Sequence, residues 1–120
     1  MNPHYQIQHG DIILVNCDPS IGAEIRKIRP CVVVQGKRLN EISALVTIIP
    51  ITSRAENPFF ADISIKRDAE NNLHSDGVVR TSQIFTYDRS RFFKLIGKCS
   101  PELLLRLKKQ VIFNLELDSR

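Results

Sequence analysis

The strongest constraint on the fold is a succession of short β-branched runs, each closed by glycine, proline or aspartate. "DIILVNC" at 11–17 and "CVVVQ" at 31–35 have the length and the Val/Ile content of buried strands. "SALVTIIPI" at 43–51 is a third run, with Pro50 near its end. A proline has no N–H to give to a ladder, so it predicts an edge, a bulge or the end of that strand. "FFADISI" at 59–65 reads as a fourth strand, "DGVVRTSQIF" at 76–85 as a fifth, and "FFKLI" at 92–96 as one more before Gly97. The stretch between the fourth and fifth, "KRDAENNLHSDG", is turn material.

Beyond Gly97 the period changes. Ser100, Pro101 and Glu102 supply a cap, a proline at the first helical position and an acid in the first turn. Leu104, Leu107, Val111 and Leu115 then recur at three and four residues, which predicts an amphipathic helix over 101–115. Its apolar stripe is expected to cover the sheet, and a stripe that includes Leu103 and Leu107 leaves room for a dimer contact. Five or six short strands followed by one helix make a mainly β protein, a small antiparallel barrel with a C-terminal α-helix. A single domain over 1–120 is expected, with no repeat, linker or low-complexity tract. A chain of 120 residues buries about two-thirds of its unfolded surface. Such a domain folds without staples.

Cysteine usage and hydropathy narrow the setting. Cys17, Cys31 and Cys99 are odd in number and lack CxxC spacing, which argues against a disulfide framework or a zinc site and for a reducing cytoplasm. The N-terminal "MNPHYQIQHGD" is polar, unlike a secretory signal. The longest apolar stretch, "ALVTIIPI", falls far short of the ~20 residues of a spanning helix, so no membrane role is expected. Lys and Arg total 17 against 13 Asp and Glu, a net charge of +4 that favours an anionic partner. Part of that charge lies in "GAEIRKIRP" at 22–30, between the first two strands. Taken alone, such a run is a solvated hairpin loop.

Three stretches together carry more. "GDIILVNCDPSIGAEIRKIRPCVVV", "TIIPITS" and "SQIFTYDRSRF" resemble, in order and spacing, the signature stretches of the MazF/PemK family of toxin ribonucleases. The resemblance covers about residues 10–115. It implies an SH3-like or CcdB-like barrel, a homodimer, a cognate antitoxin as partner, and metal-independent cleavage of single-stranded RNA without a cofactor. It places the family arginine on Arg29, the threonine after the third strand on Thr52 and the loop carboxylate on Glu24. Arg26, Lys27, Ser53 and Gln83 fall where RNA contacts are expected. Phe85 departs from the pattern, since a polar residue is frequent there, and one RNA contact is altered or missing.

The chemistry of these side chains fits that expectation. Metal-free cleavage requires the 2′-hydroxyl to attack the adjacent phosphorus while the enzyme stabilises charge growing on the phosphoryl oxygens. Arg29 would clamp those oxygens, since a guanidinium meets phosphate bidentately and stays charged. Thr52 would donate its hydroxyl to one of them. An arginine is a poor base, so Glu24 is the candidate to take the 2′-proton. Arg26 and Lys27 would attract and orient the backbone. Gln83 and Asp88 also have a structural reading, as turn residues satisfying backbone groups. His4, His9 and His74 are of the type that supplies acid and base as a histidine pair in other ribonucleases, but none occupies a matched motif position, and Cys17 and Cys31 read as core. Two rivals remain: a CcdB-like toxin that acts on DNA gyrase by protein binding, and a barrel that binds RNA or antitoxin but does not cleave.

Overall fold

The computed structural model describes residues 1–17, 28–53 and 59–118. In chain order the elements are β1 (Asp11–Asn16), β2 (Ile28–Val33), α1 (Lys37–Ile42), β3 (Leu45–Thr52), β4 (Asp62–Ile65), β5 (Gly77–Arg80), β6 (Phe85–Asp88), a 3-10 turn (Arg89–Arg91), β7 (Phe92–Lys98) and α2 (Pro101–Asn114). The seven strands form one antiparallel sheet in the order β4-β5-β3-β2-β1-β7, with β6 added alongside β3. The order is open, so the expected barrel is a curved sheet whose ladder does not close.

The near-continuous apolar character of the first three runs follows from burial on both faces. Ile12, Val32, Ile49 and Ile51 point into one core with Leu107, while Ile13, Val15, Cys31, Val33, Val46 and Ile48 point into a second with Ile7 and Phe92. Successive residues of one strand therefore serve opposite cores. Each such Val or Ile side chain contributes about 1.5–3 kcal/mol by leaving water. Helix α2 lies over the first core. Ser100 Oγ accepts from Leu103 N at 3.2 Å, and Leu103, Leu104, Leu107 and Val111 pack inward. Leu115 caps the helix and is 54% exposed, so it does not extend the stripe as the periodicity suggested.

Gly10 and Asp11 show why a GD pair opens β1. Gly10 has φ +91°, and its N–H donates to Val33 O while its carbonyl accepts from Cys99 N, both at 2.8 Å. The fully buried Asp11 carboxylate accepts from Tyr5 Oη (2.8 Å), Gln8 N (2.9 Å) and Lys98 Nζ (3.1 Å). Burial, and then the bond to Asp11, push the Tyr5 phenol up to about 12.

Several expectations are corrected. Pro50 marks neither an edge nor an end: it is buried inside β3, opposite Cys31. It sits between the β6 pairing, which ends at Ile48, and the β5 pairing, which begins at Ile51, so its missing N–H falls where the strand changes partners. The run at 76–85 is two strands. Buried Thr81 ends β5 by donating its hydroxyl to Ala61 O at 2.6 Å and accepting from Asn114 Nδ2 at 3.1 Å. Strand β2 starts earlier than expected and takes in Arg29 and Pro30. Strand β7 runs through Gly97. Helix α1 was not anticipated. It is held by Gln35, whose Nε2 donates to Asn40 Oδ1 (3.0 Å) and Leu45 O (2.9 Å), and by Asn40 Nδ2 donating back to Gln35 O (2.9 Å).

Candidate functional site

Strands β2 and β3 pair as Val33 with Ile48, Val32 with Ile49 and Cys31 with Pro50. Arg29 and Thr52 lie just beyond the last of these pairs, two residues from Cys31 and from Pro50. Both line a cleft of about 360 Å³, together with Ile28, Pro30, Ile51, Ser53, Leu73, His74 and Ser75. Arg29 is itself held in the ladder opposite Val15 of β1. The residue before a proline is biased to extended backbone, which suits its place in a strand. The sheet thus sets a guanidinium and a hydroxyl on one wall of the cleft.

The other wall is the β4–β5 connection, and it is more ordered than turn composition implies. Asn71, 3% exposed, accepts through Oδ1 from Asp68 N and Leu73 N, each at 3.0 Å, and donates through Nδ2 to Lys66 O at 2.8 Å. Asp68 Oδ1 accepts from Glu70 N (2.9 Å) and Asn71 N (2.7 Å), and Asp76 Oδ1 from Arg67 N (2.8 Å). At one end Gly97 lets β7 meet the loop, since a Cβ there would lie 2.3 Å from Glu70 O. At the other end a Cβ on Gly77 would lie 2.3 Å from Thr52 O. Both glycines are required by close approach. The result anchors Leu73 in the core and leaves His74 exposed at the cleft.

Two thiols lie behind Arg29. Cys17 Sγ and Cys31 Sγ are 3.8 Å apart, and Cys31 Sγ is 3.5 Å from Arg29 O. The hydrogen bond with Cys31 draws the Cys17 thiol down to about 7, with help from Arg29 and Arg91 and against its partial burial. Cys31 moves the other way, raised by the same bond and by burial.

Of the residues expected in the site, the cleft gathers Arg29, Thr52 and Ser53. Gln83 is exposed in the turn between β5 and β6, its N–H donating to Arg80 O at 2.9 Å, and does not line the cleft. Glu24, Arg26 and Lys27 lie outside the described residues. Asp88 caps the 3-10 turn by accepting from Ser90 N at 2.9 Å, a bond that lowers its pKa. Arg89 donates to the carbonyls of Asn2 and Tyr5, and Arg91 to Asn16 O while lying over the Tyr87 ring. The arginines of this stretch therefore bind the chain to itself. Phe85 is 41% exposed on β6 and stacks on Tyr87. His74 is the lining residue that motif matching passed over. Its sequence signal is its residue type, an imidazole able to act as acid or base, at a position that matches no motif.

Among the described residues no group of three or more His, Cys, Asp or Glu is placed to hold a metal ion, and no helix is long and apolar enough to cross a membrane. A family model described as PemK-like, MazF-like toxin of type II toxin-antitoxin system matches residues 8–115. The fold is similar to that of MazF (Form-I) from Deinococcus radiodurans, with a TM-score of 0.76 and 23% identity over 93% of this chain and 98% of that one. The MazE-MazF (Form-II) structure from the same organism gives 0.76 and 23% over 94% and 98%. A mycobacterial endoribonuclease in complex with its cognate antitoxin gives 0.72 and 15% over 97% and 96%.

Proposed function

The chain belongs to the PemK-like, MazF-like toxins of type II toxin-antitoxin systems, and from that premise we propose that it is a sequence-selective endoribonuclease cleaving single-stranded mRNA. The observation that carries the reading is that Arg29 and Thr52, from paired strands, line one cleft. In the proposed reaction the 2′-oxygen bonds to phosphorus and the bond to the 5′-oxygen breaks. Arg29 clamps the phosphoryl oxygens as their charge grows, and Thr52 donates a hydrogen bond that fixes the scissile group. Glu24 is proposed to take the 2′-proton. Arg26, Lys27, Ser53 and Gln83 are proposed to hold the flanking RNA. These roles need no metal. The products are a 2′,3′-cyclic phosphate and a 5′-hydroxyl.

A cognate antitoxin with an acidic segment is proposed as the silencing partner, supported by the net charge of +4 and by antitoxin-bound structures among the similar folds. A homodimer in a reducing cytoplasm completes the reading. The dimer rests on family membership, the compartment on three free cysteines.

The test is incubation of the purified protein, with EDTA, on a long unstructured RNA, with Arg29→Ala in parallel and all ends mapped. Cuts at a recurring short sequence, lost in the variant, are expected. Ends carrying 3′-hydroxyl and 5′-phosphate would point to attack by water and overturn the mechanism. RNA left whole by a folded, antitoxin-free protein would move the function to binding.

A further inference from the structure

Resting on the ribonuclease reading, we infer that His74 is a further catalytic residue of the cleft, the acid that protonates the departing 5′-oxygen. The chemistry of the lining leaves that task open. The other polar lining groups are the Arg29 guanidinium, already engaged with the phosphoryl oxygens as the clamp, and the hydroxyls of Thr52, Ser53 and Ser75, a class of group that is a poor acid. Among the described lining residues, His74 carries the one imidazole, a ring that can hold a proton on one nitrogen and hand it to a bound oxygen. Without a proton the 5′-oxygen departs as an alkoxide, so a donor at that atom lowers the barrier to breaking its bond to phosphorus.

The geometry supports the role in three ways. His74 stands on the loop wall, while the charge clamp stands on the strand wall, so the two reach a phosphate from different elements. It forms no hydrogen bond or ion pair among the described residues, which leaves both ring nitrogens available to a substrate. Its backbone is nevertheless fixed, between buried Leu73 and the close approach of Gly77 to Thr52. The held backbone fixes where the imidazole starts, and a bound phosphate is left to orient the ring. In the step, the 2′-oxygen forms its bond to phosphorus and loses its proton to a base. The P–O5′ electron pair goes to the 5′-oxygen, which takes the proton from the imidazolium, and the imidazole regains one from water.

The test compares wild type and His74→Ala on two forms of one cleavable oligonucleotide, one ordinary and one with sulfur replacing the bridging 5′-oxygen. A thiolate leaves without protonation. His74→Ala is expected to cut the ordinary form about 10²-fold or more slowly than wild type and the sulfur form at close to the wild-type rate. His74 is exposed, so the variant should fold, which a thermal melt checks, and His74→Gln serves as a second variant. Equal losses on both forms, or none on either, overturn the assignment while the ribonuclease reading stands. Wild type that cuts neither form overturns the ribonuclease reading itself.

Discussion

The two walls of the cleft are built by different means. The strand wall, with Arg29 and Thr52, is fixed by backbone ladders to β1, β2 and β5, and its side chains are placed by register. The loop wall, with His74 and Ser75, has no ladder of its own. Its shape comes from carboxamide and carboxylate side chains that replace ladder partners for its backbone, and from two glycines at its ends. The first wall is positioned by backbone pairing, whereas the second depends on side chains such as Asn71 and Asp68 that are not among the cleft lining.

The largest effect expected follows from the strand wall. Arg29→Ala should lower RNA cleavage by about 10³-fold or more, by loss of charge stabilisation at phosphorus. Thr52→Val should lower it by about 10²-fold, as for one lost oxyanion donor. Both variants should keep a thermal melt near that of wild type, because the ladder is made by backbone groups. An Arg29→Ala protein that unfolds would break the comparison, making the guanidinium part of the scaffold.

The next effect tests the loop wall. Asn71→Ala strips partners from Asp68 N, Leu73 N and Lys66 O and should cost about 2–4 kcal/mol in urea unfolding. Its cleavage rate, measured where the protein is still folded, should also fall, although Asn71 is not a lining residue of the cleft. A stable Asn71→Ala protein of full activity would mean that the loop holds itself without the network. A smaller loss, about 1–3 kcal/mol, is expected of Gly77→Ala, whose new Cβ must displace the Thr52 carbonyl. Because that substitution joins the two walls, it should slow cleavage more than its stability cost alone explains.

The same contrast accounts for what is legible in the sequence. Strands β1, β2 and β3 are readable because each serves two cores, and that demands uninterrupted Ile and Val. Arg29 and Thr52 come from the resemblance; that both line one cleft was hidden for Arg29, which the sequence placed in a loop and the structure places in β2. The break between β5 and β6 is hidden, since Thr81 reads as one more β-branched residue until Ala61 and Asn114 are seen to bind its hydroxyl. Helix α1 spans six residues, too few to show a period, and depends on the Gln35–Asn40 pair. His74 reaches the cleft on a loop held by the close approaches of Gly97 to Glu70 and of Gly77 to Thr52, pairs distant in sequence, so no local pattern places it there. Glu24, Arg26 and Lys27 lie outside the described residues, and their expectation rests on the resemblance alone.

The smallest effect is a titration that reads the two walls separately. The Cys17 thiol is drawn down to about 7, first by its bond to Cys31 and then by the charges of Arg29 and Arg91, all on or behind the strand wall. Only the thiolate is nucleophilic, so alkylation of Cys17 should rise with pH, reach half its maximum near 7 and level off above it. Cys99, raised to about 11 by burial, should remain slow throughout. Removing a positive charge disfavours the thiolate, so Arg29→Ala should move the Cys17 midpoint upward, and Cys31→Ala should move it further because the hydrogen bond is the larger influence. Asn71→Ala, on the other wall, should leave it where it was. A midpoint that follows Asn71 as closely as Arg29 would show the two walls to be one mechanical unit, and the separation drawn between ladder and loop would fall.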